Sequence, residues 1–217
     1  MGLLAALPRR APLTAALLAA IGVAFAAEIA LGWSAGVGLA GPTDRRVLVA
    51  LGANVWPLTV SETWRLVAST FLHIGFLHLL VNGWALLQLG ALFEAWTGST
   101  RLAIVYFLGG VAGSLASVTF TLAGSDRISA GASGAIFAVL GALIAFLVRR
   151  HERLRPEAKS LLLQLLFWAG LNVWLGFTSE AIDNGGHLGG FAAGLVIGIF
   201  LRERRRLREP EPPSALA

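Results

Sequence analysis

The stretch Gly131-Ala132-Ser133-Gly134-Ala135-Ile136-Phe137-Ala138-Val139-Leu140-Gly141 opens a run of helix length that meets no charged residue before Arg149. The run is apolar on every side of a helix, so it must be enclosed by protein or by lipid. Ser133 falls in its first turn, flanked by residues small enough for a second helix to touch its backbone. A hydroxyl so placed lies just inside a membrane. Two other apolar runs, one carrying His78 and Asn82 and one carrying His187, have the same design of a polar head on an apolar body.

The rest of the composition makes lipid the solvent. Of 217 residues, 56% are hydrophobic and 13% charged, with a mean hydropathy of +0.74. An ordinary soluble domain carries about a quarter charged residues, and a core of this length cannot hide so much apolar surface from water. Cysteine is absent, which excludes disulfides and thiolate metal sites. The four histidines are widely spaced without an acidic ligand pattern, so no metal site is expected. The net charge of +5 sits beside apolar runs, a placement that favours membrane orientation over nucleic acid.

Read in order, the sequence predicts an all-α membrane protein with six transmembrane helices at about 12–33, 72–93, 102–122, 130–148, 160–177 and 185–201. The first run is too long for a signal peptide's h-region of roughly 7–15 residues. Glu28 within it is costly in lipid and is expected to face the bundle or the outer interface. Residues 34–71 form a long outer loop whose apolar patches, Val47 to Leu51 and Val55 to Leu58, suit short interfacial helices. Trp64-Arg65 fits an interfacial anchor, indole at the headgroups and guanidinium at the phosphates. Residues 1–11 form an inner N-terminal segment, 12–201 the membrane domain, and 202–217 a basic, Pro-rich, disordered inner tail. Of the 17 Lys and Arg residues, all but Arg45, Arg46, Arg65 and Arg127 fall on the side that holds both termini, which makes that side cytoplasmic.

With this topology the second, fourth and sixth spans all begin at the outer face. His73, His78 and Asn82 fall in the first three turns of the second, Ser133 in the first turn of the fourth and His187 in the first turn of the sixth. Polar groups inside a membrane are functional candidates by default. A serine hydroxyl becomes a nucleophile when an imidazole takes its proton, which assigns Ser133 as nucleophile and His187 as general base. His78 and Asn82, four apart on one helical face, can donate to an oxyanion, with the Ser133 backbone N–H as a third donor. Asp183 and Asn184 precede His187, but nothing in the sequence turns them toward its imidazole, so the expectation is a dyad. Gly131, Gly134, Ala138 and Gly141 form one small-residue stripe, and Gly186, Gly190 and Gly194 another, which lets the two helices approach closely. Phe137, one turn below Ser133, can stack on the His187 ring.

These motifs resemble the rhomboid intramembrane proteases. The matching residues are Trp64-Arg65, His73 with His78 and Asn82, Glu94 with Gly98, Gly131-Ala132-Ser133-Gly134, and His187 with Gly190 and Gly194, in the family's order. The resemblance implies a six-helix bundle of the basic bacterial type in the cell membrane, its site facing the exterior. It implies a Ser133–His187 dyad, oxyanion partners in His78 and Asn82, and a structural His73 near the site mouth. Glu94 and Arg65 would stabilise loops. The implied substrates are transmembrane helices of other proteins, cut near their outer ends without metal, ATP or other cofactor. The fifth span, with Phe167, Trp168 and Trp174, and the loop from Thr178 to Gly186 would form a gate facing the second span near Trp84. Phe137 stands where the family often carries tyrosine.

Each residue also has a plainer reading. Ser133 can be a packing residue, His187 an interfacial hydrogen-bonder, and His78 with Asn82 interhelical glue. The rival functions are a catalytically inactive relative that binds membrane helices and a small transporter. The first usually loses the serine or the base, and both are present here. The second is expected to carry charges near the midplane of a broken helix.

Overall fold

The computed structural model describes residues 11–34, 36, 43–56, 58–121, 127–150, 156–179 and 182–201. The N-terminal stretch 1–10, residues 151–155 and the tail 202–217 lie outside the described residues. The architecture is all-α. Helix α1 spans Pro12–Ser34, α2 Arg45–Leu51, α3 Leu58–Ser61 and α4 Arg65–Ala68. The long rod α5 spans Phe76–Thr97. It is followed by α6 (Ser99–Thr121), α7 (Ser133–Val148), α8 (Pro156–Thr178) and α9 (Asn184–Ile199). Helices α1, α5, α6 and α8 are each long and apolar enough to cross a membrane, and α7 is a shorter apolar helix.

Helix ends depart from the expected spans for identifiable reasons. Helix α8 begins at Pro156 rather than near residue 160, and α1 begins at Pro12 as expected; proline suits the first helical position because its missing N–H has no partner there anyway. The rod α5 starts at Phe76 rather than at residue 72. Gly75 before it has φ 89°, outside the helical region, and the His73 backbone N–H is held by Glu28 Oε1 at 2.8 Å. His73 therefore lies in the turn leading into the rod, not within it. Midway, Leu86–Gly90 relaxes into a π turn, where Gly90 lies against Thr14 of α1.

Helix α7 is the axis of the bundle. Every residue from Ala135 to Leu147 is buried, as an all-apolar helix requires. Helix α9 packs along it and along α6 through glycine. Gly186, Gly190, Gly194 and Gly198, one per turn, are all buried. A Cβ at Gly190 or Gly194 would fall on the carbonyl of Gly134 or Ala138, and one at Gly198 would lie 2.7 Å from the Ala142 carbonyl oxygen. On the other side, a Cβ at Gly113 of α6 would lie 2.8 Å from the Gly186 carbonyl oxygen. With lipid as the alternative environment, such backbone-to-backbone dispersion contact is the main attraction between helices. Helix α8 is attached more lightly. It buries Leu165, Ala169 and Gly176 and exposes Phe167, Trp168, Trp174 and Phe177.

Two carboxylates inside the apolar layer anchor the periphery. Glu94, 2% exposed, accepts from the Leu13 N–H at 2.9 Å, the Thr14 N–H and hydroxyl at 2.8 Å each, and the Ser99 hydroxyl at 2.6 Å. It satisfies the orphan donors and positive dipole end of α1 from a helix some eighty residues away. Glu28, buried in α1, holds the His73 backbone as above and accepts from the Thr43 hydroxyl at 3.1 Å.

The first loop corrects one expectation. The Arg65 guanidinium does not reach out to phosphates. It is buried, pairing with Glu62 at 2.8 Å and donating to the carbonyls of Val49 at 2.7 Å and Ala53 at 3.2 Å. A charge with three partners inside the loop is better compensated there than a lone phosphate contact would be. Trp64 remains exposed and lies over Gly52, with the Arg65 guanidinium carbon 4.9 Å from its ring centroid.

Candidate active site

Ser133 is the first residue of α7, so it lies in the helix's first turn. Its N–H is among the first four of the helix, which have no intrahelical acceptor. The strand of chain that delivers it is tied down twice. Ser129 exchanges backbone hydrogen bonds with Asn54 of the first loop at 2.9 Å each way, and the Gly131 N–H donates to the Ser69 carbonyl at 2.9 Å.

Gly131 is required by conformation and by space. Its φ of 142° disfavours any L side chain. A Cβ there would lie 2.7 Å from His78 Cε1, 3.1 Å from His78 Nε2 and 3.8 Å from Ser133 Oγ. The imidazole edge of His78 and the Ser133 hydroxyl therefore both lie close to the bare backbone of Gly131.

His78 is oriented by its own helix start. The Ile74 N–H donates to its Nδ1 at 3.2 Å, so in the neutral ring the proton resides on Nε2, the nitrogen nearest Gly131. Asn82, one turn later and buried, donates one amide N–H to the His78 carbonyl at 2.9 Å. The second N–H of that amide is left for another acceptor. His73 is fully buried, its ring 5.3 Å from that of His78 at an interplanar angle of 58°. Its Nδ1 lies 3.2 Å from the Phe71 carbonyl, and its Nε2 has no hydrogen-bond partner among the described residues.

His187 lies in the first turn of α9, its N–H donating to the Asp183 carbonyl at 3.0 Å. Its ring stacks on Phe137, centroids 4.2 Å apart and planes 12° from parallel. Phe137 is one turn below Ser133, and Gly190 touches Gly134. The stack and the seam hold the imidazole beside the Ser133 end of α7. His187 Nδ1 is enclosed and makes no hydrogen bond among the described residues. Asp183 is occupied elsewhere, accepting from the Gly186 N–H at 2.9 Å and from the Ser129 hydroxyl at 2.5 Å.

The structure thus gathers Ser133, His78, His187 and Phe137 at one end of the α5–α7–α9 contact, with Asn82 beside His78. Trp64, Arg65 and Glu94 stand apart from that cluster, in the first loop and at the far end of α5. Trp84, Phe167, Trp168 and Trp174 lie on exposed faces of α5 and α8. Sequence reasoning passed over Ser129, Asn54 and Thr43, which hold the cluster's backbone, because isolated polar residues in a loop carry no periodic signal. No three His, Asp or Glu side chains among the described residues are grouped to hold a metal ion.

Residues 60–204 match the family described as Rhomboid domain. The chain is 40% identical over 156 residues to Rhomboid protease GluP of Bacillus subtilis, covering 71% of this chain and 29% of that protein. It is 37% identical over 140 residues to RHOMBOID-like protein 5 of Arabidopsis thaliana, covering 64% of this chain and 44% of that one. It is 32% identical over 171 residues to Rhomboid-like protease 2 of Toxoplasma gondii, covering 77% and 58% respectively. The chain therefore spans between about a third and just over half the length of these relatives.

Proposed function

The chain belongs to the rhomboid family of intramembrane proteases, and from that premise we propose that it is a serine endopeptidase using a Ser133–His187 dyad on transmembrane segments of other membrane proteins. The observation that carries the reading is the stack of His187 on Phe137, one turn from Ser133, with Asp183 bonded elsewhere. A base held by ring stacking needs no third carboxylate to orient it.

The chemistry follows from these positions. The Ser133 oxygen attacks the scissile carbonyl carbon while His187 takes the hydroxyl proton. The carbonyl oxygen becomes an oxyanion, for which His78 Nε2–H, the second Asn82 amide N–H and the Ser133 backbone N–H are the donors. His187 then protonates the leaving amine, and water, activated by the same imidazole, hydrolyses the acyl-enzyme. No step needs a metal or nucleotide.

The membrane setting is part of the proposal. We infer six spans, α1, α5, α6, α7, α8 and α9, with both termini cytoplasmic and the site facing the exterior of a bacterial cell membrane. Helix α7 has 16 residues, or about 24 Å at 1.5 Å per residue. The hydrocarbon core is about 30 Å thick. With Arg149 and Arg150 at the inner boundary, Ser133 lies several ångströms below the outer one, where water must be admitted by the polar residues of the first loop. Substrate entry past the lightly attached α8 fits its exposed aromatic face.

The test is cleavage of a transmembrane-segment substrate by the purified chain in detergent. Ser133→Ala and His187→Ala are each expected to abolish it, along with labelling of Ser133 by a fluorophosphonate probe. Persistent cleavage in either variant would end the dyad assignment.

A further inference from the structure

We infer that Asp183 is a positioning residue that lashes the segment delivering Ser133 to the first turn of the helix carrying His187, acting through the Ser129 hydroxyl; this rests on the dyad proposed above.

The α7–α9 seam explains how the two helices come close, but a glycine surface offers few knobs to stop one helix sliding or turning on the other. Closeness and register therefore need different devices. The register device stands at the mouth of the seam. Asp183 Oδ1 accepts from the Gly186 N–H at 2.9 Å, the ordinary bond of an N-cap. Its Oδ2 accepts from the Ser129 hydroxyl at 2.5 Å, across 54 residues of sequence. That length belongs to strong O–H···O⁻ bonds. A cap requires only the first of these bonds.

Ser129 is itself tied to the first loop. Its backbone is paired in both directions with Asn54, whose amide donates to the Ser114 carbonyl of α6 at 2.8 Å. Ser129 precedes Ser133 by four residues, and Asp183 precedes His187 by four. The lash joins the two reactive residues at equal distance along their chains. Oδ1 serves the cap and Oδ2 the lash, and His187 Nδ1 makes no hydrogen bond among the described residues, so the carboxylate acts on placement rather than as a triad acid.

The test is a double-mutant cycle on the purified full chain, reading kcat, KM and melting temperature with a transmembrane-segment substrate. Ser129→Ala keeps the helix cap and removes only the lash. It is expected to lower kcat about tenfold with KM within about twofold, since small misplacements of reacting groups cost rate rather than binding. Asp183→Ala should lower kcat further. The double variant should be no slower than Asp183→Ala, because the two residues act through one bond. Ser129→Thr, which retains the hydroxyl, should restore the rate to within about threefold of wild type. Asp183→Asn, which keeps the cap acceptor for the Gly186 N–H and puts an amide N–H where Oδ2 accepted from Ser129, closes the cycle if Asp183→Ala does not fold. A wild-type kcat in Ser129→Ala, losses that multiply in the double variant, or a fall in melting temperature that accounts for the lost rate would each overturn the lash. Ser133→Ala and His187→Ala run alongside: activity in either sinks the dyad, whereas inactive controls with an unaffected Ser129→Ala sink the lash alone.

Discussion

Replacing Gly190 by alanine tests whether the glycine seam sets the reaction geometry. The new Cβ would fall on the Gly134 carbonyl, with the Gly134 carbonyl carbon at 2.8 Å and its Cα at 3.2 Å. Carbon atoms pack at about 3.5–4.0 Å, so α9 must withdraw by about 1 Å, because every obstructing atom is helix backbone rather than a side-chain tip. Overpacking of this kind costs about 1–3 kcal/mol. Relief of glycine's helix penalty returns about 0.5–1 kcal/mol, so the fold should survive. The chemistry is more sensitive, because a misplacement of about 1 Å can cost roughly 100-fold in rate. Gly190→Ala is thus expected to melt a few degrees lower and to lose about two orders of magnitude in kcat in the detergent cleavage assay. Gly198→Ala is the control. It meets the Ala142 carbonyl oxygen at 2.7 Å on the same seam, three turns from His187. Its melting temperature should fall comparably while kcat stays within about fivefold of wild type. A wild-type rate for Gly190→Ala, or equal rate losses in the two variants, would refute the reasoning.

Other substitutions separate the parts of the molecule. Phe137→Ala removes the stack on His187, worth about 0.5–1.5 kcal/mol for an aromatic pair, so kcat should fall by up to about tenfold while Phe137→Tyr retains the rate. Glu94→Ala orphans the Leu13 and Thr14 donors at the start of α1 and the Ser99 hydroxyl. Thermal melting should show a loss of at least about 3 kcal/mol, with kcat near wild type at low temperature. Arg65→Lys cannot span Glu62 and two carbonyls with one ammonium and should destabilise the first loop by about 2 kcal/mol, detected as earlier proteolysis between α2 and α4.

The all-α membrane character, the apolar runs and the small-residue stripes were legible along the chain because each is a local property. Hydropathy over some twenty residues decides whether a segment prefers lipid, and a glycine every fourth position marks a helix face wherever that helix goes. The catalytic candidates were legible for a related reason, since a hydroxyl or imidazole at the head of an apolar run is conspicuous by contrast. Asp183 was visible too, as a residue preceding His187, but nothing in the sequence turned it toward the imidazole or toward Ser129.

The destinations of the charged and polar groups could not be read in this way. Glu94 reaches the start of α1, Glu28 the turn at His73, Arg65 the inside of its own loop and Asp183 the Ser129 hydroxyl. The partners of the three carboxylates were set by segments brought side by side across tens of residues, and those of Arg65 by the way its loop folds back on itself. A carboxylate in lipid takes whichever donors the assembled bundle presents to it, and no local pattern encodes which those are. Hydrophobicity and helix periodicity are written residue by residue; the pairing of buried polar atoms exists only once distant segments share the same few ångströms.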